Sequence, residues 1–233
     1  MHFSVVVFPG SNCDRDCYRA ASEVLGASVD YVRHTAEELP ATDCVILPGG
    51  FSYGDYLRAG AAAAHTPVMD AVTDFARGGG LVLGICNGFQ ILCEAGLLPG
   101  ALMVNDHLRF CCRYCWVRVE DTGTPFTGEC EEGQVLHLPV AHQQGNYRPD
   151  PDGEPPRVLM RYCGSAGELA PEHNPNGSWE AIAAVSNRAG NVAGMMPHPE
   201  RCCEAVLGET DGAAIFRSIL NSWEEDSRVS RLR

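Results

Sequence analysis

The chain has no lysine. All seventeen of its basic residues are arginine, against thirty aspartates and glutamates, and the formal net charge is −13. Without lysine there is no Schiff-base nitrogen and no Walker A lysine to grip a nucleotide phosphate, so an ATP-driven step would belong to another polypeptide. The surplus of acid excludes nucleic acid as a partner, because phosphate contacts need a basic face. Long apolar runs are missing too. No stretch approaches the roughly eighteen consecutive apolar residues of a membrane span. The opening residues Met1-His2-Phe3-Ser4-Val5-Val6-Val7-Phe8 have neither a basic region nor the length of a secretory signal, so a cytoplasmic protein is expected. Phosphate loops are absent as well. Neither Pro48–Gly60 nor Gly78-Gly79-Gly80 has the GxGxxG or GxxxxGK spacing.

Cysteine, by contrast, is abundant, with twelve in 233 residues. In a chain of this length without an export signal, reduced thiols are expected rather than a disulfide scaffold. Cys112-Arg113-Tyr114-Cys115 is a CxxC with Cys111 beside it, and Cys202-Cys203 lie elsewhere, so a four-thiolate zinc site is an alternative reading. The first group sits in a strand-like run and no second CxxC follows at a finger-like spacing. No metal is therefore expected, and the cysteines are read mainly as small apolar residues.

No linker divides the chain, and residues 1–233 are expected to form one domain of α/β type. Phe3 to Phe8 reads as a buried strand. Ser11 or Asn12 can then cap a helix in which Cys17, Ala20, Ala21, Val24 and Leu25 recur at helical spacing up to Gly26. Val29–Val32, Cys44–Leu47 and Leu81–Leu83 read as further strands, and a helix from Pro67 stops at Gly78. Strands alternating with helices imply a largely parallel sheet with helices on its faces. Beyond Phe110 the pattern turns strand-like at Phe110–Val119, Val135–Val140, Arg157–Tyr162, Ala181–Val185 and Val192–Met196. These predict additional, mixed strands in the C-terminal half. A closing helix capped by Asp211 should run to about Leu220, with residues 222–233 as a flexible tail.

The chemistry concentrates at Gly84-Ile85-Cys86-Asn87-Gly88, between a strand-like run and a helix-like one. Such a Gly-x-nucleophile-x-Gly sequence makes a sharp elbow that exposes the nucleophile, here Cys86. The next helix would turn its N–H groups and positive end towards the sulfur, favouring thiolate and offering donors to an oxyanion. A tight turn around a buried apolar cysteine is the plainer alternative. About a hundred residues on comes Met195-Met196-Pro197-His198-Pro199-Glu200-Arg201. A residue before proline favours extended geometry, and alternation would then put His198 and Glu200 on one side. Glu200 could thus orient His198 while His198 serves Cys86 as base. A loop with a surface ion pair is the alternative for His198-Pro199-Glu200 alone. The Gly-rich segment after Cys44–Leu47 leaves its strand at the same sheet edge as the elbow, so both should face one crevice.

In these motifs the chain resembles the class I glutamine amidotransferases, whose Cys-His-Glu triad has this order and local sequence. Pro48-Gly49-Gly50-Phe51-Ser52-Tyr53-Gly54-Asp55-Tyr56-Leu57-Arg58-Ala59-Gly60, the elbow and Gly190–Arg201 are similar to the glutaminase subunits of phosphoribosylformylglycinamidine synthases. The resemblance runs from about Val5 to Leu220. It implies Cys86, His198 and Glu200 as the triad, an oxyanion hole from the Gly50 and Asn87 N–H groups, and a substrate site formed by Phe51 and Gln90 with them. It further implies glutamine hydrolysis through a thioester, with ammonia passed to a synthetase subunit that uses ATP and Mg²⁺, and a small third subunit completing the complex. This chain would itself hold no cofactor. A different ammonia acceptor, or a non-catalytic subunit of the same fold, are the alternatives. One departure stands out: Ala141-His142-Gln143-Gln144-Gly145 replaces a loop that usually reads His-Gly-Glu-Gly, so the role of that loop's acid is in doubt.

Overall fold

The computed structural model describes residues 1–231. Among the described residues eleven strands are present: β1 (His2–Val7), β2 (Ser28–Arg33), β3 (Cys44–Leu47), β4 (Leu81–Ile85), β5 (Ala101–Met103), β6 (Cys111–Val119), β7 (Val135–His142), β8 (Asn146–Arg148), β9 (Arg157–Cys163), β10 (Ile182–Ser186) and β11 (Val192–Met195). The helices are α1 (Asp14–Arg19), prolonged by a π-helical stretch Ala20–Val24, α2 (Pro67–Arg77), α3 (Asn87–Glu94) and α4 (Ala213–Arg231). Among the described residues no helix is long and apolar enough to cross a membrane.

Nine strands form one continuous sheet in the order β2-β1-β3-β4-β11-β10-β9-β6-β7. The expected parallel half runs from β2 to β11, and the strands beyond it pair antiparallel. Four successive reversals, β11 to β10 to β9 to β6 to β7, leave β7 pointing the same way as β4. The carboxyl ends of β3, β4, β11 and β7 therefore meet at one edge, where an open α/β sheet places its ligand. β1, β3, β4 and β11 are buried because their apolar runs are covered on both faces, as parallel strands require. α3 lies against β3, β4 and β11. β5 and β8 pair antiparallel in a separate two-stranded ribbon, each too short to show a periodicity in the sequence.

Two expected helix caps do other work. α1 starts after Cys13 with no side-chain cap. Ser11 instead accepts the Phe8 N–H on its Oγ at 3.1 Å, because Asn12 and Cys13 are drawn across to donate their N–H groups to the Gly49 carbonyl at 3.3 and 3.2 Å. Asp211 Oδ2 accepts the His137 N–H at 2.8 Å, which ties the start of α4 to β7 rather than capping it. α4 runs past Leu220 to Arg231, so residues 222–231 of the expected tail are helical, while 232 and 233 lie outside the described residues.

The CxxC lies within β6, where positions three apart face opposite sides of the sheet. Cys112 is exposed while Cys115 is buried, so the two thiols do not converge on one ion. All twelve cysteines are free thiols.

A close backbone contact joins α3 to the sheet. A Cβ added to Gly88 would sit 1.9 Å from the Leu47 carbonyl oxygen, so only glycine lets the first turn of α3 rest on β3. Gly88→Ala should destabilise the protein by about 2 kcal/mol or more, read by urea denaturation. An unchanged midpoint would show that α3 can lift off the sheet at no cost.

Candidate active site

Cys86 stands where β4 hands the chain to α3, with φ 50° and ψ −104°, a conformation that a non-glycine residue holds only under constraint. Its N–H is fixed to the Met195 carbonyl at 2.7 Å on the neighbouring strand β11. The elbow expected from the sequence is thus present, with the thiol at the N-terminal end of α3. Its Sγ lies 3.7 Å from the Ala141 carbonyl at the end of β7.

His198 follows β11, and its N–H donates to the Pro139 carbonyl of β7 at 2.8 Å. His198 Nδ1 and Glu200 Oε1 are 2.7 Å apart, and both side chains are almost fully buried. They meet differently from expectation. Glu200 lies in a short 3₁₀ turn, Pro199–Arg201, not in an alternating strand, because Pro199 presets the first helical φ. His198 Nε2 and Glu200 Oε2 are buried without a hydrogen-bond partner, so the imidazole keeps one ring nitrogen uncommitted. Burial works against the charged imidazole, yet the Glu200 carboxylate and the Cys86 sulfur outweigh it and hold the His198 pKa well above 6.5.

A second thiol adjoins this pair. Cys13 Sγ, His198 and Glu200 offer ligand atoms within 4.8 Å of one another, the one such cluster among the described residues. The Arg201 guanidinium, however, donates to Cys13 Sγ at 2.8 Å and already places a positive charge there, which opposes a cation.

In front of Cys86 lies a cavity of about 180 Å³ lined by Gly50, Phe51, Gly54, Asp55, Cys86, Gln90, Ala141, His142, Gln143 and Gln144. A larger open groove of about 730 Å³, between Gly96–Pro99 and Glu154–Arg157, touches the far end of β10 and none of these residues. The chemistry, not the volume, identifies the smaller one as the site. Gly50 has φ 152°, and a Cβ there would meet the Gly10 oxygen at 2.8 Å, so the loop after β3 depends on glycine. Phe51 lines the cavity, but its N–H is taken by the Gly10 carbonyl at 2.9 Å.

Asn87 is buried behind the cavity. Its Oδ1 accepts the Ser52 N–H at 3.0 Å, and its Nδ2 donates to Gln90 Oε1 at 2.9 Å and to Asp55 Oδ1 at 3.3 Å. Gln90 Nε2 in turn donates to the Gln144 carbonyl at 2.7 Å. That last bond does not depend on the altered side chains: it uses the backbone of Gln144, which any residue supplies. His142, buried, donates from Nδ1 to Asn105 Oδ1 at 3.2 Å and accepts from Asn176 Nδ2 at 3.4 Å. Burial, aided by His198, pushes its pKa down to about 3, so it is a neutral member of the wall.

All seven residues singled out from the sequence converge on this edge. Sequence reasoning assigned no role to Asp55, Cys13 and Ala141, which reach the site only because separate loops meet there. The signal for Asp55 was in the Gly-rich segment, but nothing in the local pattern says which of its side chains turns inward.

Residues 1–219 match the family described as CobB/CobQ-like glutamine amidotransferase domain. The chain belongs to this glutamine amidotransferase family. It is 55% identical over 234 residues to phosphoribosylformylglycinamidine synthase subunit PurQ of Moorella thermoacetica, covering 98% of this chain and 99% of that one. The corresponding subunit of Symbiobacterium thermophilum is 54% identical over 225 residues, 94% and 96% of the two chains. Among solved structures, PurLQS from Thermotoga maritima contains a chain with a TM-score of 0.86 and 45% identity over 95% of this chain and 98% of that one. A glutamine amidotransferase from the same organism, 13% identical with a TM-score of 0.54 over 100% of this chain and 86% of that one, shares the fold.

For this amidotransferase the buried His198–Glu200 pair has a pH signature. The folded imidazole titrates above its ordinary value, so the pair stabilises the fold fully below about pH 6.5, and that contribution is lost as pH rises through the folded pKa. Glu200→Gln should therefore lower the unfolding free energy most near neutral pH and progressively less in alkali. A stability deficit that stays constant from neutral to alkaline pH, measured by urea denaturation, would sink this assignment of charge.

Proposed function

We propose that the chain is the glutaminase subunit of a phosphoribosylformylglycinamidine synthase, acting in de novo purine biosynthesis. The observation that carries this reading is the end-to-end similarity, above half identity, to subunits of that name, together with the Cys86 elbow facing a buried His198–Glu200 pair. In this reading the Cys86 thiolate attacks the side-chain amide carbon of glutamine. The tetrahedral oxyanion is held by the backbone N–H groups of Gly50 and Asn87, the latter in the first turn of α3 where helix donors have no internal partner. His198, oriented by Glu200, passes its proton to the departing ammonia. It then takes a proton from the water that opens the thioester and releases glutamate.

Ammonia is the product that matters to the complex. It reaches a synthetase subunit that converts formylglycinamide ribonucleotide to formylglycinamidine ribonucleotide with ATP and Mg²⁺, and a small third subunit completes the assembly. ATP and Mg²⁺ belong to the synthetase; this chain works without a cofactor, and its lysine-free composition agrees with that division. The complex operates in the cytoplasm.

In the assembled complex, Cys86→Ala should abolish synthesis from glutamine and leave synthesis from ammonium salts largely intact, because the fold and the acceptor chemistry are separate from the nucleophile. Glutamate release by the variant at the wild-type rate would remove Cys86 from the mechanism. Among the other two, His198 moves protons whereas Glu200 positions it. His198→Ala should cost about a thousandfold or more in turnover and Glu200→Ala less. The reverse order would assign Glu200 a different role.

A further inference from the structure

Glutamine carries two charges that the reacting thiol does not touch, an α-ammonium and an α-carboxylate. Asp55 is the only carboxylate among the residues lining the Cys86 cavity, and no lysine or arginine lines it. His142 is neutral there. The cavity therefore has a fixed negative charge and no fixed positive one.

Asp55 is held towards the cavity by two features. Asn87 Nδ2 bridges Asp55 Oδ1 and Gln90 Oε1, at 3.3 and 2.9 Å, which aligns the carboxylate with the residues of the glutamine site. The backbone around it is left-handed at Tyr53, Gly54, Asp55 and Leu57, with φ 54°, 73°, 54° and 70°. Three of these four are not glycine, and such residues hold that conformation only where the surroundings impose it. Among the described residues the carboxylate nevertheless has no cation paired with it. Burial pushes its pKa up to about 6, opposed only by the hydrogen bond from Asn87. An ammonium group in the cavity would supply the missing positive charge and an ion-paired hydrogen bond, where the Asn87 amide now offers only a neutral donor at 3.3 Å.

We infer that Asp55 binds the α-ammonium of glutamine and thereby distinguishes glutamine from primary amides that lack it. The inference rests on the glutaminase reading for the identity of the ligand. It places the substrate with its amide at Cys86 and its amino end at the loop following β3, so the same Gly-rich segment serves both the oxyanion and the amino group.

The test compares glutamine with glutaramate, which is glutamine without its α-amino group. Binding is measured by calorimetry to the full chain carrying Cys86→Ala, with the synthetase present, so that no turnover intervenes. Asp55→Asn keeps an oxygen for Asn87 Nδ2 and removes only the charge. It should weaken glutamine binding about ten- to hundredfold and change glutaramate binding by no more than about twofold. Asp55→Glu should recover part of the loss. In the chain with Cys86 intact, Asp55→Asn should raise KM for glutamine far more than it lowers kcat.

Equal losses for the two ligands, or unchanged glutamine binding, would overturn the inference, since a merely structural Asp55 cannot sense the amino group. A chain with Asp55 intact that binds glutaramate as tightly as glutamine would overturn it as well. If Asp55-dependent discrimination is found but the chain with Cys86 releases no glutamate, the inference stands and the glutaminase mechanism falls.

Discussion

The site depends on one close approach, the contact of Gly88 with the Leu47 carbonyl. It lets α3 begin immediately above β3 and β4, and this short reach forces the chain to turn at Cys86 in a conformation with φ 50°. A left-handed residue of this kind costs about 1–3 kcal/mol and survives only where its neighbours fix it. Here the Met195 carbonyl holds the Cys86 N–H at 2.7 Å and the α3 backbone rests on the sheet. The thiol is thereby raised to the sheet edge without any side chain having to carry it there.

The antiparallel half of the sheet is more than an addition to a parallel core. Because its successive reversals leave β7 running with β4, the end of β7 returns to the edge where β3, β4 and β11 finish. Pro139 then anchors the His198 N–H at 2.8 Å, and Ala141 closes the wall behind the Cys86 sulfur. His198 and Cys86 are thus both braced by a strand that belongs to neither of their local segments. Asp211 reinforces the arrangement by holding the His137 N–H, so the start of α4 steadies the same strand.

Charge is distributed unevenly for a purpose that the net value hides. The chain carries an excess of thirteen negative charges, yet its buried site pairs one imidazole with one carboxylate and sets Arg201 beside a second thiol. The cavity in front of Cys86 keeps one carboxylate, Asp55, and a neutral His142. In a low-dielectric pocket single charges decide what binds, whereas the many surface acids are screened by solvent and salt.

The sequence by itself determined the parallel half of the fold and the elbow, and it singled out Cys86, His198 and Glu200, because each is written in contiguous pattern: apolar runs, helix stops, glycines flanking a cysteine, and a histidine two residues before a glutamate. It also determined the family, through motifs that cover nearly the whole chain. What it left to the tertiary structure were features built from segments far apart. Ser11 and Asp211 look like helix caps, and locally they would be, but both are taken by partners that no neighbouring residue reveals. His198 and Glu200 meet through a 3₁₀ turn rather than strand alternation, since Pro199 starts a helical turn. The Gln143-Gln144 change looks disruptive in sequence and is harmless to the Gln90 contact, because a backbone carbonyl makes it. Which side chain of the Gly-rich loop faces the cavity was likewise decided only when that loop, α3 and the end of β7 closed around the same space, for inward orientation is a property of packing and not of spacing along the chain.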